Sequence, residues 1–235
     1  MTEAGGGRTV LVTGANRGTG RAVAEELRAA GWRVWGLGRT PADLPGVENV
    51  HCDLRHPEDV GPAVRRAGAL AGGLDAVVAN GVERALGDLA TLPLERWQEA
   101  VDVNLTSVIA LVQAALPQLR ARGGRIVLMG SHAGTRFFEG GAAYCATKAA
   151  LKALTEVLLL EERRHGVGTT LVSPGAIANL PGDTSPLKMA TSSVARTVRW
   201  VLESPEDTVV GEVELRPARL PEEVPVTGLD RLQAV

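Results

Sequence analysis

The strongest constraint on the fold lies near the start of the chain, where a β-branched run is followed at once by glycines and then by a helical pattern. Residues 9–13, Thr-Val-Leu-Val-Thr, read as a strand buried on both faces of a parallel sheet. Gly14, Asn16, Arg17, Gly18, Thr19 and Gly20 then form a turn, and residues 21–30 carry apolar side chains at helical spacing before Gly31. Strand, glycine turn and helix in that order form an anion cradle. Backbone N–H groups approach a phosphate that rests on the positive end of the helix. The glycine spacing is Gly-x-x-x-Gly-x-Gly, a variant of the commoner dinucleotide pattern, and a dinucleotide is the expected ligand.

The same alternation continues down the chain. Strands are expected at residues 32–38, 47–52, 74–79, 124–130, 169–173 and 211–215, with helices at 57–71, 93–120, 142–164 and 193–202. Pro93 is expected in the first turn of its helix, and Pro117 is expected to bend the far end. Alternating strands and helices imply an α/β fold, a doubly wound parallel sheet of about seven strands with helices on both faces. At 235 residues, without repeats or an internal linker, residues 1–235 read as one domain for binding and catalysis. Residues 1–7 read as a flexible N-terminus, 180–203 as a substrate lid region with 180–190 the mobile part, and 216–235 as a tail.

Charge and cysteine usage narrow the partners. A net charge of -2 with mixed signs offers no basic face for nucleic acid. No apolar run is expected to span a membrane, and two cysteines far apart fit a reduced, cytoplasmic protein. His51, Cys52, Asp53 and His56 cluster in sequence, but strand neighbours point to opposite faces and no zinc-type spacing accompanies them, so no metal is expected.

Candidate site residues fall at the carboxyl ends of the expected strands. After the second strand, where an acid usually meets a ribose hydroxyl, stands Arg39; with Arg17 it offers donors for a 2'-phosphate and favours NADP(H). Asp53 ends the third strand, placed to accept from an adenine amino group, with Leu54 beside it. Asn80 and Gly81 end the fourth, and Asn104 is an amide on an apolar helix face that needs a polar partner. Ser131 ends the fifth strand. Tyr144 and Lys148, four positions apart, share one helix face, where an ammonium stabilises a phenolate and draws its pKa toward neutrality. By itself that spacing also suits a buried tyrosine beside a lysine that snorkels. Pro174, Gly175, Ala176, Ile177 and Asn179 form a loop after the sixth strand. The substrate pocket is expected from Ser131, His132, Phe137, Tyr144 and Ala176, within walls at 82–86, 132–139 and 176–189, where Arg84 and Arg136 mix with Glu83 and Glu139. His132 is expected to be exposed or to lie behind the residues that touch substrate, and Cys145 to be core.

Taken together, the glycine turn 13–20, Asp53, Asn104, Ser131, Tyr144-x-x-x-Lys148 and Pro174-Gly175 resemble the short-chain dehydrogenase/reductase family over residues 9–215, in its single-domain NADP-preferring branch. The resemblance implies a Rossmann-like fold and a reduction of a ketone or aldehyde to an alcohol, or its reverse, on a small-molecule substrate. It further implies Tyr144 as general acid and base, with Ser131 orienting the oxygen. Lys148 is implied to bind the nicotinamide ribose and lower the tyrosine pKa, and Asn104 to hold a water leading to Lys148. Three departures stand out: Ala79-Asn80-Gly81-Val82 replaces the family's Asn-Asn-Ala-Gly, Asn179 replaces a threonine that meets the nicotinamide carboxamide, and residues 211–217 replace the usual ending. Non-redox catalysis on the same scaffold and NADP sensing are the alternative functions. A homodimer or homotetramer through the helices 93–120 and 142–164 is expected, on apolar residues that include Val108, Leu111, Val112, Leu151, Leu154, Leu158 and Leu159.

Overall fold

A computed structural model describes residues 7–180 and 182–219. The expected flexible stretch at 1–6, the tail beyond 219 and Pro181 of the lid lie outside the described residues. Seven strands form one sheet in the order β3-β2-β1-β4-β5-β6-β9: β1 (Thr9–Thr13), β2 (Arg33–Gly38), β3 (Val47–His51), β4 (Ala76–Ala79), β5 (Arg125–Met129), β6 (Gly168–Pro174) and β9 (Glu212–Leu215). Every neighbouring pair is parallel. Strand order reverses between β1 and β4, and a crevice opens there at the carboxyl edge.

Period-two alternation sends each strand's side chains to two cores. Leu11, Val77, Ile126 and Leu128 face one side, while Val10, Val12, Val78, Val127 and Met129 face the other. The first side is covered by α2 (Pro57–Ala71), α4 (Ser107–Arg122) and α5 (Ala142–Glu162); the second by α1 (Gly18–Ala29) and α6 (Thr191–Leu202). α6 packs on α1 through a core containing Val23, Leu27, Val194 and Val198, so residues 191–202 of the expected lid are core helix instead. The remaining part joins two short paired strands, β7 (Ile177–Ala178) and β8 (Met189–Ala190).

The helix expected at 93–120 differs from expectation in two ways: Pro93 caps α3 (Leu94–Val101) from outside, and a π-helical turn occupies Asp102–Thr106, while α4 runs through Pro117 to Arg122. The whole run, Leu94–Arg122, spans 29 residues and is long and apolar enough to cross a bilayer, contrary to the expectation from sequence. Tertiary packing accounts for that composition: Val108, Leu111, Val112, Ala115 and Leu119 are buried against α2 and the sheet. These residues therefore supply no surplus apolar surface for pairing, and neither do Leu151 and Leu158 of α5, which are also core. The exposed large apolar residues on these helices are Leu94, Ile109, Val157 and Leu160.

The glycine turn shows why a side chain is not tolerated there. Gly14 and Gly18 take φ of 67° and 54°, and a Cβ on Gly20 would collide with the Gly14 carbonyl and the Asn80 amide. Thr13 ties the turn to the crevice, its Oγ1 accepting from the N–H groups of Asn80 and Gly81, both at 2.8 Å.

Candidate active site

A cavity of about 990 Å³ runs along the carboxyl edge from the glycine turn to the start of α6. All the expected site residues line it except Asn104 and Phe137. Gly14, Asn16, Arg17, Gly18, Thr19 and Gly20 form one end, with Arg39, Asp53, Leu54, Asn80 and Gly81 along the crevice wall. Ser131, His132, Tyr144 and Lys148 form the other end, and Pro174, Gly175, Ala176, Ile177 and Asn179 close the cavity from β6. Phe137 is 66% exposed. After the short turn His132–Gly134, Phe138 packs against Gly141, and Phe137 faces solvent.

At the glycine end the structure fits a dinucleotide phosphate. The amide of Thr19, in the first turn of α1, donates to Asn179 Oδ1 at 2.8 Å, and the Thr19 hydroxyl donates to the same oxygen at 3.3 Å. A Cβ on Gly18 would strike the Asn179 amide. Asn179 thus places an oxygen at the positive helix end, standing in for an anionic oxygen. Asp53 differs from expectation. Arg55 holds its carboxylate, with an Nη2 to Oδ2 distance of 2.6 Å, and Arg39 lies 4.0 Å away. Hydrogen bonds from Arg55 draw the Asp53 pKa down to about 2, so it is an anion committed to arginine.

The catalytic end departs from the simple phenol and ammonium pair. Lys148, 4% exposed, donates to the Met129 carbonyl at 2.6 Å and lies 5.9 Å from the Tyr144 ring centroid. Burial, and then the positive charge of Arg84, lower its pKa to about 8. Tyr144 is shifted the other way from the sequence expectation: burial raises its pKa, opposed by a hydrogen bond with Ser131 and by Arg84. Ser131 caps its turn, its Oγ accepting from the Ala133 N–H at 3.1 Å. The physical reason is desolvation, which penalises either charge and is the largest influence on both groups.

Asn104 finds the polar partners that its apolar helix face requires. Its Oδ1 accepts from the Glu83 N–H at 2.8 Å, while Nδ2 donates to the Glu83 carbonyl at 2.9 Å and to Thr147 Oγ1 at 3.1 Å. The π-helical turn aims this amide, which fastens the loop after β4 to α5 directly behind Tyr144. His132 is 2% exposed and packs against Gly175, with Glu214 Oε1 at 3.5 Å from Nε2; burial lowers its pKa. Cys52 and Cys145 are buried and free, and burial raises the Cys52 thiol to about 11.

Arg55, Thr147, Met129 and Glu214 are the contributors that the sequence reading missed. Arg55 two residues after Asp53 carries a local signal, whereas the others meet the site only through the sheet.

The buried Lys148 yields a stability test. Its folded pKa of about 8 lies below the ordinary 10.5, so the unfolded chain holds the proton more tightly, and stability rises between these values as pH increases. Lys148→Met is expected to raise unfolding free energy at pH 7 by on the order of 1–3 kcal/mol. The gap should shrink from pH 8 upward and vanish above 10.5. Urea titrations at pH 7, 9 and 11 check this; a gap independent of pH would contradict it.

A family model described as short chain dehydrogenase matches residues 8–181. Human L-xylulose reductase is 36% identical over 185 residues, covering 75% of this chain and 74% of that protein. An uncharacterized oxidoreductase of Staphylococcus aureus (strain USA300) is 30% identical over 224 residues, covering 89% of this chain and 97% of its own length. Among solved structures, an alcohol dehydrogenase from the archaeon Thermococcus sibiricus, complexed with 5-hydroxy-NADP, superposes with a TM-score of 0.83 at 27% identity, covering 92% of this chain and 99% of that one. The sheet order, the glycine turn and the serine, tyrosine and lysine at one strand edge agree with that likeness, and the chain belongs to the short-chain dehydrogenase/reductase family of oxidoreductases.

Proposed function

We propose that the protein is an NADPH-dependent carbonyl reductase, or the reverse alcohol dehydrogenase, with Tyr144 as general acid and base. The observation that carries this reading is the convergence of Ser131, Tyr144 and Lys148 on one cavity that also contains the anion cradle of α1. The nicotinamide, when bound, supplies the hydride chemistry. In reduction the Tyr144 hydroxyl gives its proton to the carbonyl oxygen, and the Ser131 hydroxyl donates to the same oxygen and fixes its orientation. Lys148 keeps donors free beyond the one bonded to Met129; they suit a ribose hydroxyl, and the ammonium's field favours the phenolate left after proton transfer. His132 and Asn104 support from behind, the first under Gly175 and the second by anchoring the wall that faces Tyr144. The human reductase and the archaeal dehydrogenase that holds an NADP derivative support the same reading.

Tyr144→Phe preserves ring packing and removes the proton. It is expected to keep the melting temperature and NADPH affinity while turnover falls on the order of a hundredfold or more. Near-native turnover of the Phe variant would remove the proposal.

Preference for NADPH is assigned to Arg39 and Arg17. Both are exposed at the crevice, and Arg39 meets Asp53 only at 4.0 Å, which leaves its fork available to a 2'-phosphate. Arg39→Ala should weaken NADPH binding on the order of 10- to 100-fold and leave NADH little changed. Fluorescence titration of both cofactors decides it, and equal losses would point elsewhere.

For assembly, Val157 and Leu160 lie three positions apart on α5 and are 46% and 74% exposed. A second copy of the chain covering this face gives a homodimer or homotetramer that braces the helix of Tyr144. Light scattering at micromolar concentration is expected to return at least twice the chain mass; a monomer mass would overturn the assignment.

A further inference from the structure

Among the described residues no acid forms an ion pair with Arg84, a cation lining the catalytic end of the cavity. It lies on the loop between β4 and α3, lines the same cavity as Ser131 and Tyr144, and is exposed. Neighbouring acids are engaged elsewhere: Glu83 with Arg96 at 2.7 Å, Glu99 with Arg96, and Asp53 with Arg55 at 2.6 Å. Among the described residues no carboxylate comes within 4.0 Å of Arg84. Its charge nevertheless reaches the chemistry, since it acts on both Tyr144 and Lys148.

Two cations, Arg84 and the buried Lys148, therefore share this end of the cavity without a balancing anion from the described residues. An anion there would be drawn in by the field and would offset the repulsion between them. A guanidinium offers two parallel N–H donors, a geometry that fits the two oxygens of a carboxylate. We propose that Arg84 binds the carboxylate of the substrate, so that the carbonyl compound reduced here is a small oxo-acid anion. This rests on the reductase reading. Arg84 acts as a specificity-determining residue and takes no part in proton transfer.

The test compares 2-oxobutanoate, 3-oxobutanoate and 4-oxopentanoate, whose ketone carbons lie one, two and three bonds from the carboxylate carbon, with their methyl esters. At least one acid should exceed its ester in kcat/KM on the order of 10- to 100-fold. Arg84→Met should erase that advantage, Arg84→Lys should keep part of it, and Arg84→Glu should reverse it. Loss of Arg84 also removes its field from Tyr144, which affects acid and ester alike; only the ratio between them reports recognition. Esters equal to acids in the wild type, or an advantage that survives Arg84→Met, would overturn the inference. A second arm needs no turnover: calorimetric titration of butanoate into the NADPH-loaded protein should lose at least about tenfold in affinity in Arg84→Met. Equal affinity, or no butanoate binding to either protein, counts against Arg84. Absence of turnover with every acid and ester, beside a butanoate difference, would instead sink the reductase reading alone.

Discussion

Parallel pairing is the constraint on which the rest of the structure depends. Parallel strands cannot be joined by a tight turn, so each connection must cross a face of the sheet and return to the same starting edge. All seven carboxyl ends of the main sheet consequently emerge together, and loops separated by long stretches of chain meet there. The Thr13 hydroxyl shows this at the atomic scale, accepting from two amides at the end of β4 while Gly14 begins the cradle. Without that convergence Ser131, Tyr144, Asn80 and Asn179 would have no common cavity.

The same geometry makes the site electrostatically costly. Lys148 is buried where charge is poorly solvated, has a single hydrogen-bond acceptor, the Met129 carbonyl, among the described residues, and shares the cavity with Arg84. Desolvation lowers the ammonium pKa and raises the phenol pKa, so Lys148 carries its charge at a cost while Tyr144 is held as the neutral phenol. Elsewhere buried charge is treated differently: Glu162, 2% exposed, receives two hydrogen bonds from Arg120. Satisfaction where structure is the task, and incomplete satisfaction where a ligand is expected, is the contrast that gives the cavity its polarity.

Asn179 and Asn104 show how one residue type serves two purposes. Asn179 offers an oxygen to the first turn of α1, in the position suited to an anion. Asn104 uses its whole amide to fasten backbone to α5, and its aim depends on a π-helical turn. The local sequence around Asn104 reads as ordinary helix, because the turn is set by the partners that the amide reaches across the fold.

Sheet, crossovers and glycine turn were legible because each rests on local periodicity or on backbone conformations restricted to glycine, and such signals survive without the tertiary structure. The candidate site was largely legible for a related reason: its residues end strands, and parallel topology sends strand ends to one edge. Phe137 and Phe138, by contrast, are alike in sequence, and only packing shows that Phe138 lies against Gly141 while Phe137 is exposed. The apolar surplus on the long helix was likewise misread, since Val108, Leu111 and Val112 are covered by α2, and sequence does not tell how many neighbours a helix has. Sequence alone thus determined the order of strands and helices along the chain and which chemical groups come to the edge. Only the tertiary structure decided their charge states and partners, because desolvation and hydrogen bonding depend on surroundings assembled from the whole chain.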